Sequence, residues 1–169
     1  MRTLVVFFSF EGNTKLVGEA IAKTMDADIV ELKTSKQYPT EGFGKFFWGG
    51  KSVLFGETPE LINGKIDLSK YDTVIIGTPI WAGSFAPPIK SFISQYQMKG
   101  KRIALFASHG GGGAKKCFSK LKEAFPENKF IGEIAFVEPK KNTEESSNEA
   151  VKWASELKRI WNSMSESFN

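Results

Sequence analysis

Short apolar segments alternate with amphipathic helical segments along the chain, and this alternation restricts the fold more than any other feature of the sequence. Each apolar segment has the length of a β-strand and is bounded by polar residues or glycine, which is typical of strands buried on both faces of a sheet. The pattern predicts five strands. They are Val5–Ser9, Ile29–Leu32, Thr73–Gly77, Ile103–Ser108 and Phe130–Val137.

Four helical stripes lie between and after these strands, because apolar residues recur there at the spacing of one helix face. Parallel strands need crossover connections that cover the sheet, so the alternation predicts an α/β fold with helices on both faces. Ser146 and Glu149 have the spacing of a capping box, which predicts that the last helix begins there. The stripes are Leu16 to Ile21, Ile89 to Tyr96, Cys117 to Phe125 and Ala150 to Trp161.

Composition places the chain among ordinary globular proteins. Its 169 residues, 41% hydrophobic and 25% charged, suffice for one sizeable core, so we expect a single domain over residues 1–169. The one cysteine, Cys117, cannot form an intrachain disulfide, which favours a reducing cytoplasm. No apolar run approaches the roughly 18 residues of a membrane-spanning helix. The net charge of +4 comes from scattered lysines, so neither nucleic acid nor a membrane is an expected partner.

The first predicted strand ends in the loop Ser-Phe-Glu-Gly-Asn-Thr, residues 9–14, directly before the first helix. Ligands of open parallel sheets bind beyond the carboxyl ends of the strands, and helix N-termini attract anions through unpaired N–H groups. The loop therefore predicts a phosphate cradle, in which Gly12 lets the backbone approach the ligand closely. Ser9, Asn13 and Thr14 add further donors. The alternative is that Asn13 or Thr14 simply caps the helix.

Two other phosphate-binding motifs do not fit the sequence. A dinucleotide fingerprint needs three spaced glycines after the first strand, where only Gly12 is present. Gly44–Ser52 approaches a Walker A loop, but it has one residue too many, follows no strand and contains bulky aromatics. The long link from Lys33 to Asp72 that contains it predicts a helix covering the sheet, with a lid or binding surface as the alternative. The apolar face of that helix would be Phe43, Phe46, Phe47 and Leu54.

The loops after the third and fourth strands are also unusual. The first of them places Trp81 at the ligand end of the sheet, before a helix that begins near Pro87 and Pro88. Packing of Trp81 on its own helix is the alternative. The second contains four successive glycines, Gly110–Gly113, whose bare backbone groups can lie against a flat ring and bond its edge. A flexible linker is the alternative for this stretch.

At these three loops the sequence resembles the flavodoxin family, and the resemblance covers nearly the whole chain. The motifs that carry it are SFEGNT, TPIWAGSFAPP and SHGGGG, at residues 9–14, 78–88 and 108–113. The resemblance implies a three-layer, doubly wound sheet of five parallel strands in the order 2-1-3-4-5. Flavodoxin is the standard example of this order, with flavin mononucleotide (FMN) at the switch between the first and third strands.

The resemblance also implies which residues surround FMN. The first loop would bind the phosphate, Trp81 would stack on the isoalloxazine, and the other two loops would line the ring. The peptide at Gly83 would reorient on reduction, which glycine permits. The implied phosphate-binding residues are Ser9, Phe10, Glu11, Gly12, Asn13 and Thr14. The implied ring-binding residues are Thr78, Pro79, Ile80, Trp81, Ala82, Gly83, Ser108, His109, Gly110, Gly111 and Gly112.

Two functions are compatible with this resemblance. We expect an electron carrier that passes low-potential electrons between redox partner proteins. The alternative is an FMN-dependent NAD(P)H oxidoreductase acting on quinones or similar small acceptors. Carriers of the family are usually acidic and many hold the flavin between two aromatic residues, whereas this chain is basic and its third loop offers glycines. One flavin face could therefore be open to a nicotinamide or a quinone.

Neither the single cysteine nor the single histidine predicts a catalytic nucleophile. Cys117 is in line with Phe118 and Leu121 on one helix face, so we expect a core thiol. His109 lies in the third loop, where it would stack on the flavin, donate to the reduced ring or cap the following helix. One histidine without clustered carboxylates provides too few ligands for a metal site, so we assign neither a metal nor a catalytic residue.

Overall fold

The computed structural model describes residues 2–35, 38 and 56–166, without the side chains of residues 162–166. The predicted helix with Phe43, Phe46, Phe47 and Leu54, and the Walker-like segment Gly44–Ser52, lie outside the described residues. Within the described part, no helix is long and apolar enough to cross a membrane.

A parallel sheet forms the centre of the fold, as the alternation of strands and helices predicts. Its order is β2-β1-β3-β5-β6, and the short β4 pairs antiparallel with the end of β3. Without β4 this is the expected order 2-1-3-4-5, so the fold class is confirmed. The strands are β1 (Thr3–Phe7), β2 (Asp28–Glu31), β3 (Thr73–Trp81), β4 (Ser84–Phe85), β5 (Arg102–His109) and β6 (Lys129–Val137).

In the described part of the chain, four α-helices and one short 3₁₀ turn accompany the sheet. The last helix begins three residues before the predicted capping box, so that prediction is wrong. The Ser146 amide bonds the Asn142 carbonyl at 2.9 Å and therefore already lies inside the first turn. The acidic Glu144 and Glu145 occupy that turn, where the helix dipole favours negative charge. The helices are α1 (Asn13–Met25), α2 (Pro87–Gln95), α3 (Ala114–Ala124) and α4 (Thr143–Glu166), and the 3₁₀ turn is Leu68–Lys70.

Burial differs between the central and the outer strands. Of the middle three strands, β1 is buried throughout, β5 except at its two ends and β3 except at its last three residues, so the segments predicted there are buried as expected. The expectation of burial on both faces is wrong for β2 and β6, which are half-exposed because each pairs with only one neighbour. Ile29 in β2 is 45% exposed and Val137 in β6 is 58% exposed.

The side chains of the central strands alternate between two apolar clusters, one on each face of the sheet. In β1, Val5 and Phe7 face the cluster that α1 and α4 cover. Leu4 and Val6 face the cluster that α2 and α3 cover. The helices therefore lie on both faces, and the loops that follow β1, β3 and β5 emerge together at the carboxyl edge of the sheet.

Candidate cofactor-binding site

The three loops singled out in the sequence meet at this edge, because the strands that precede them are neighbours. Phe7 of β1 lies opposite Gly77 of β3, and Pro79 of β3 lies opposite Ser108 of β5. The Thr14 and Ser108 hydroxyl oxygens are 2.8 Å apart and form a buried hydrogen bond. The first and third loops are therefore joined directly beneath the surface of the edge.

The first loop places a bare helix N-terminus at the edge. Gly12 is the N-cap of α1 with φ +86°, and no side chain caps the helix, so capping by Asn13 or Thr14 is wrong although the helix begins at Asn13. The Ser9 hydroxyl accepts a bond from the Lys15 amide at 3.1 Å. The amides of Gly12, Asn13 and Thr14 have no acceptor among the described residues. These three N–H groups can bind an anion.

A residue that the sequence analysis missed holds this loop from the far side of the chain. The Lys140 amide donates to the Asn13 side-chain oxygen at 2.9 Å, and its ammonium donates to the Glu11 carbonyl at 2.9 Å. No local signal marks Lys140, because 127 residues separate it from Asn13 and only the packing of α4 against α1 brings the two loops together.

The second loop is a tight hairpin, which the sequence analysis also missed. Trp81 pairs with Ser84 across a two-residue turn in which Ala82 and Gly83 have φ +48° and +67°. Positive φ at both positions is the requirement of a type I′ turn, and glycine meets it without strain. The fully buried Thr78 hydroxyl supports the hairpin, because it accepts from the Ala86 amide at 3.0 Å and donates to the Pro79 carbonyl at 2.9 Å.

Trp81 lies in a cluster of four aromatic rings. Its indole makes edge-to-face contacts with Phe8, Phe10 and Tyr38, at centroid distances of 5.9, 5.5 and 5.2 Å. None of these three rings belongs to the helix that follows Trp81, so the aromatic contacts of the indole come from the segment that follows β1 and from Tyr38. Burial, with a smaller effect of the Glu57 charge, raises the pKa of Tyr38 to about 12, so this phenol is neutral at physiological pH. The cluster fixes a half-buried indole beside the first loop.

The third loop is the most open of the three. Gly110–Gly113 are all exposed, and the His109 Nδ1 atom accepts a bond from the Gly112 amide at 2.8 Å. This bond places the proton of a neutral imidazole on Nε2. Gly113 is the N-cap of α3 with φ +89°, and a Cβ built on it would lie 3.2 Å from the Gly83 Cα. The tips of the second and third loops therefore touch.

Cys117 takes no part in the site. Its thiol is fully buried in the core, and this burial raises its pKa to about 12. A thiol with that pKa is protonated at neutral pH and is not a nucleophile. The interpretation of Cys117 as a core residue is confirmed. The described residues also contain no cluster of three or more side chains that could hold a metal ion.

All of the implied site residues therefore lie on three adjoining loops at one edge of the sheet, and they differ in accessibility. Three hydroxyl residues, Thr14, Thr78 and Ser108, are at most 3% exposed. The site glycines, Gly12, Gly83 and Gly110–Gly113, are exposed or half-exposed. The edge combines an anion-binding helix terminus with bare backbone and one large aromatic ring, which is a suitable arrangement for a planar, phosphorylated ligand.

The comparisons with known proteins agree with this fold. A family model described as Flavodoxin matches residues 2–156. A flavoprotein from Lactobacillus acidophilus, solved in complex with FMN, is 25% identical with a TM-score of 0.70, covering 85% of this chain and 97% of its own. A Bacteroides uniformis protein assigned as a flavoprotein is 22% identical with a TM-score of 0.77, covering 91% and 97%. Oxidised flavodoxin 2 from Bacillus cereus is 16% identical with a TM-score of 0.61, covering 95% and 99%.

Proposed function

The chain belongs to the flavodoxin family, whose members bind FMN, and we propose that it uses this cofactor to carry low-potential electrons between protein partners. The observation that carries the proposal is the bare N-terminus of α1. Three amides without an acceptor in the described part of the chain lie on a loop held in place by side-chain bonds from Ser9 and Asn13. Such a preformed site binds a phosphate group with little loss of conformational entropy.

The residues present fit the rest of FMN. A Cβ at Gly12 would contact the Lys140 stem at 3.4 Å, so glycine keeps the loop both accessible and free of strain at φ +86°. The hairpin holds Trp81 at the same edge, and Gly110–Gly112 offer backbone donors and acceptors to a ring edge. Bound FMN would supply the redox chemistry, while the chain would bind the cofactor and orient it.

The side chains of the site favour a carrier over an enzyme. They are hydroxyls, an amide, aromatic and apolar groups and glycines, with one carboxylate from Glu11 and one imidazole from His109, and Cys117, the only thiol of the chain, is buried away from them. In a carrier the protein needs only to hold the cofactor and to expose one edge of it to a partner. The buried free thiol is compatible with a reducing compartment, and we propose the cytoplasm.

One observation supports the second candidate, an FMN-dependent NAD(P)H oxidoreductase. The four glycines after β5 are exposed and bring no aromatic side chain to the site apart from His109. A ring face bordered by glycines leaves space for a nicotinamide or a quinone. The same cofactor site would then serve hydride transfer instead of exchange with a protein.

Titration of the flavin-free protein with FMN and with riboflavin tests the cofactor proposal. We expect much tighter binding of FMN, because riboflavin lacks the phosphate that the α1 terminus would bind. Flavin fluorescence should be quenched on binding, and Trp81→Phe should reduce this quenching if the indole lies on the isoalloxazine. Equal affinity for the two flavins would refute phosphate binding by this loop.

Stopped-flow mixing of the FMN-loaded protein with NADPH or NADH separates the two functions. For a carrier we expect the flavin absorbance to persist on the time scale of seconds, because the protein receives electrons only through a partner reductase. Bleaching within milliseconds to seconds by either nucleotide would favour the oxidoreductase and refute the carrier.

A further inference from the structure

Lys140 lies outside the three site loops but contacts the first of them. It lies in the turn between β6 and α4, yet both its amide and its ammonium bond the loop after β1, to the Asn13 side chain and the Glu11 carbonyl. Its stem lies against Gly12, where a built Cβ would be 3.4 Å from the Lys140 Cδ atom. One lysine thus spans the loop that contains the three amides without an acceptor in the described part of the chain.

The turn that presents Lys140 is well ordered by its own contacts. The Lys141 amide bonds the Glu138 carbonyl at 2.8 Å, and the Asn142 amide bonds the Pro139 carbonyl at 3.2 Å. Pro139 is buried beneath the turn, and Glu138 has a positive φ of 41°. The fold therefore sets the position of the Lys140 backbone beside residues 11–13, and the exposed side chain reaches the Glu11 carbonyl from there.

Among the described residues, the charge of Lys140 is not paired with a carboxylate, in contrast to the charges of Lys141 and Lys15. Lys141 pairs with Glu138 at 2.7 Å, and Lys15 pairs with Glu31 at 3.4 Å. Within the described ranges, Lys140 forms no ion pair, and its ammonium bonds only a neutral carbonyl. An ammonium has three donors, so two remain for a ligand.

We propose that Lys140 is the cation that binds the FMN phosphate, acting together with the amides of Gly12, Asn13 and Thr14. This inference rests on the proposed function. A phosphate dianion on the α1 terminus would otherwise be held by partial charges alone, whereas an ammonium adds a charge-assisted bond. Lys140 would also close the outer side of the cradle, so that phosphorylated flavins are selected over neutral ones.

The test is a titration of the flavin-free protein with FMN and with riboflavin, comparing the wild type with Lys140→Met, Lys140→Arg and the control Lys141→Met. Lys141→Met removes the same charge one residue away and breaks only an exposed ion pair. We expect Lys140→Met to raise the Kd for FMN about tenfold to a hundredfold, the range of one charge-assisted bond, and to leave riboflavin within about twofold. Lys140→Arg should retain most of the affinity for FMN, and Lys141→Met should behave as the wild type.

Salt dependence gives a second measurement that a purely structural role would not change. Raising NaCl from about 50 mM to 500 mM screens an exposed ion pair, so the wild-type Kd for FMN should rise and that of Lys140→Met should rise much less. Circular dichroism and urea unfolding of each variant would show whether the fold is retained.

The outcomes separate the inference from the proposed function. Equal weakening of FMN and riboflavin in Lys140→Met would show that the lysine only braces the loop, and an unchanged FMN affinity would show that it takes no part in binding. Either result overturns the inference and leaves FMN binding intact. A wild type that binds neither flavin would overturn both.

Discussion

Two of the site loops end in nearly the same helix cap but are held in very different ways. Gly12 and Gly113 begin α1 and α3 with φ, ψ of 86°, −3° and 89°, 2°, and neither helix has a side-chain cap. The loop before Gly12 is cross-linked by Ser9, by Asn13 through Lys140, and by the buried Thr14 hydroxyl. The loop before Gly113 shares the bond between Thr14 and Ser108 and has one side-chain bond of its own, from the Gly112 amide to His109.

The difference matches what each loop would have to recognise. A phosphate is small, symmetrical and constant, so a fixed ring of amides binds it with little reorganisation. A flavin ring changes protonation and hydrogen bonding between redox states, so a glycine loop that can adjust is better suited to its edge. Similar cap geometry supplies donors in both loops, while the cross-links decide whether those donors are rigid.

The largest loss of stability should come from a substitution at Gly77. This residue supports both the loop after β1 and the loop after β5, because β3 lies between these two strands. A Cβ there would be 2.0 Å from the Phe106 Cζ atom, and Phe106 is fully buried and cannot move aside. We expect Gly77→Ala to lower the free energy of unfolding by about 3 kcal/mol, at the upper end of overpacking effects. Urea unfolding measures this loss.

The control for Gly77→Ala is Gly64→Ala, since a Cβ at Gly64 meets nothing within 4 Å. Its stability should be that of the wild type. A loss of less than about 1 kcal/mol in Gly77→Ala would mean that the core beneath the site repacks easily, and the rigid base assumed for the first loop would be wrong.

The next effect should come from the hydroxyl pair that ties the two loops together. Thr14→Val removes the partner of the Ser108 hydroxyl, which is 3% exposed, and leaves that group unpaired in the interior. We expect a loss of about 2 kcal/mol in the free energy of unfolding. The double variant Thr14→Val/Ser108→Ala should recover much of it, because neither polar group then remains. If the double variant were as unstable as the sum of the single variants, the hydroxyl bond would not be the cause.

A smaller difference in the free energy of unfolding should distinguish the helix caps at Gly12 and Gly113. Gly12→Ala and Gly113→Ala both place a Cβ at positive φ, which costs about 1 to 2 kcal/mol. The loss should be greater at Gly113, where the Cβ would lie 3.2 Å from the Gly83 backbone, than at Gly12, where it would meet the flexible Lys140 stem at 3.4 Å.

Gly111→Ala is the matched control for these cap variants. A Cβ at Gly111 meets nothing within 4 Å, and its φ is not positive. Urea unfolding should therefore give the wild-type value. A greater loss at Gly12 than at Gly113 would contradict the view that the second and third loops are in contact.

The sequence was sufficient to predict the central strands, the helix stripes and the position of the three loops. These features depend on local periodicity and on the rule that parallel strands end at one edge. The prediction that all strands are buried failed at β2 and β6 because their position at the sheet edge is a property of the topology. The hairpin β4 was missed because two residues, Ser84 and Phe85, are too few to show a strand period.

Within the site, the long-range contacts were the part that could not be predicted. The Thr14 and Ser108 hydroxyls are 94 residues apart, and Lys140 is 129 residues from the carbonyl it bonds. The prediction that the last helix begins at Ser146 was wrong because Ser146 and Glu149 have the spacing of a capping box but lie inside a helix that begins at Thr143. In each case the contact depends on how distant elements pack together, and the local sequence does not indicate that packing.

The smallest effect should be a loss of stability at alkaline pH. It arises from the thiol of Cys117, on the helix that follows the four glycines. The Cys117 amide makes the bond to the Gly113 carbonyl, at 3.0 Å, that opens α3, and burial raises the pKa of its thiol from 9.0 to about 12. Above pH 9 the thiol of the unfolded chain ionises while the folded thiol stays protonated, so the unfolded state binds fewer protons and stability falls as the pH rises towards 12. Between pH 8 and pH 10 this loss should be about 1 kcal/mol.

Cys117→Ala lowers stability at every pH through the lost packing, but it should remove this pH-dependent part, because tyrosines and lysines contribute equally to both proteins. Urea unfolding of both proteins at pH 8 and pH 10 measures the difference, and identical pH dependence would show that the thiol ionises as readily in the folded protein as in the unfolded chain.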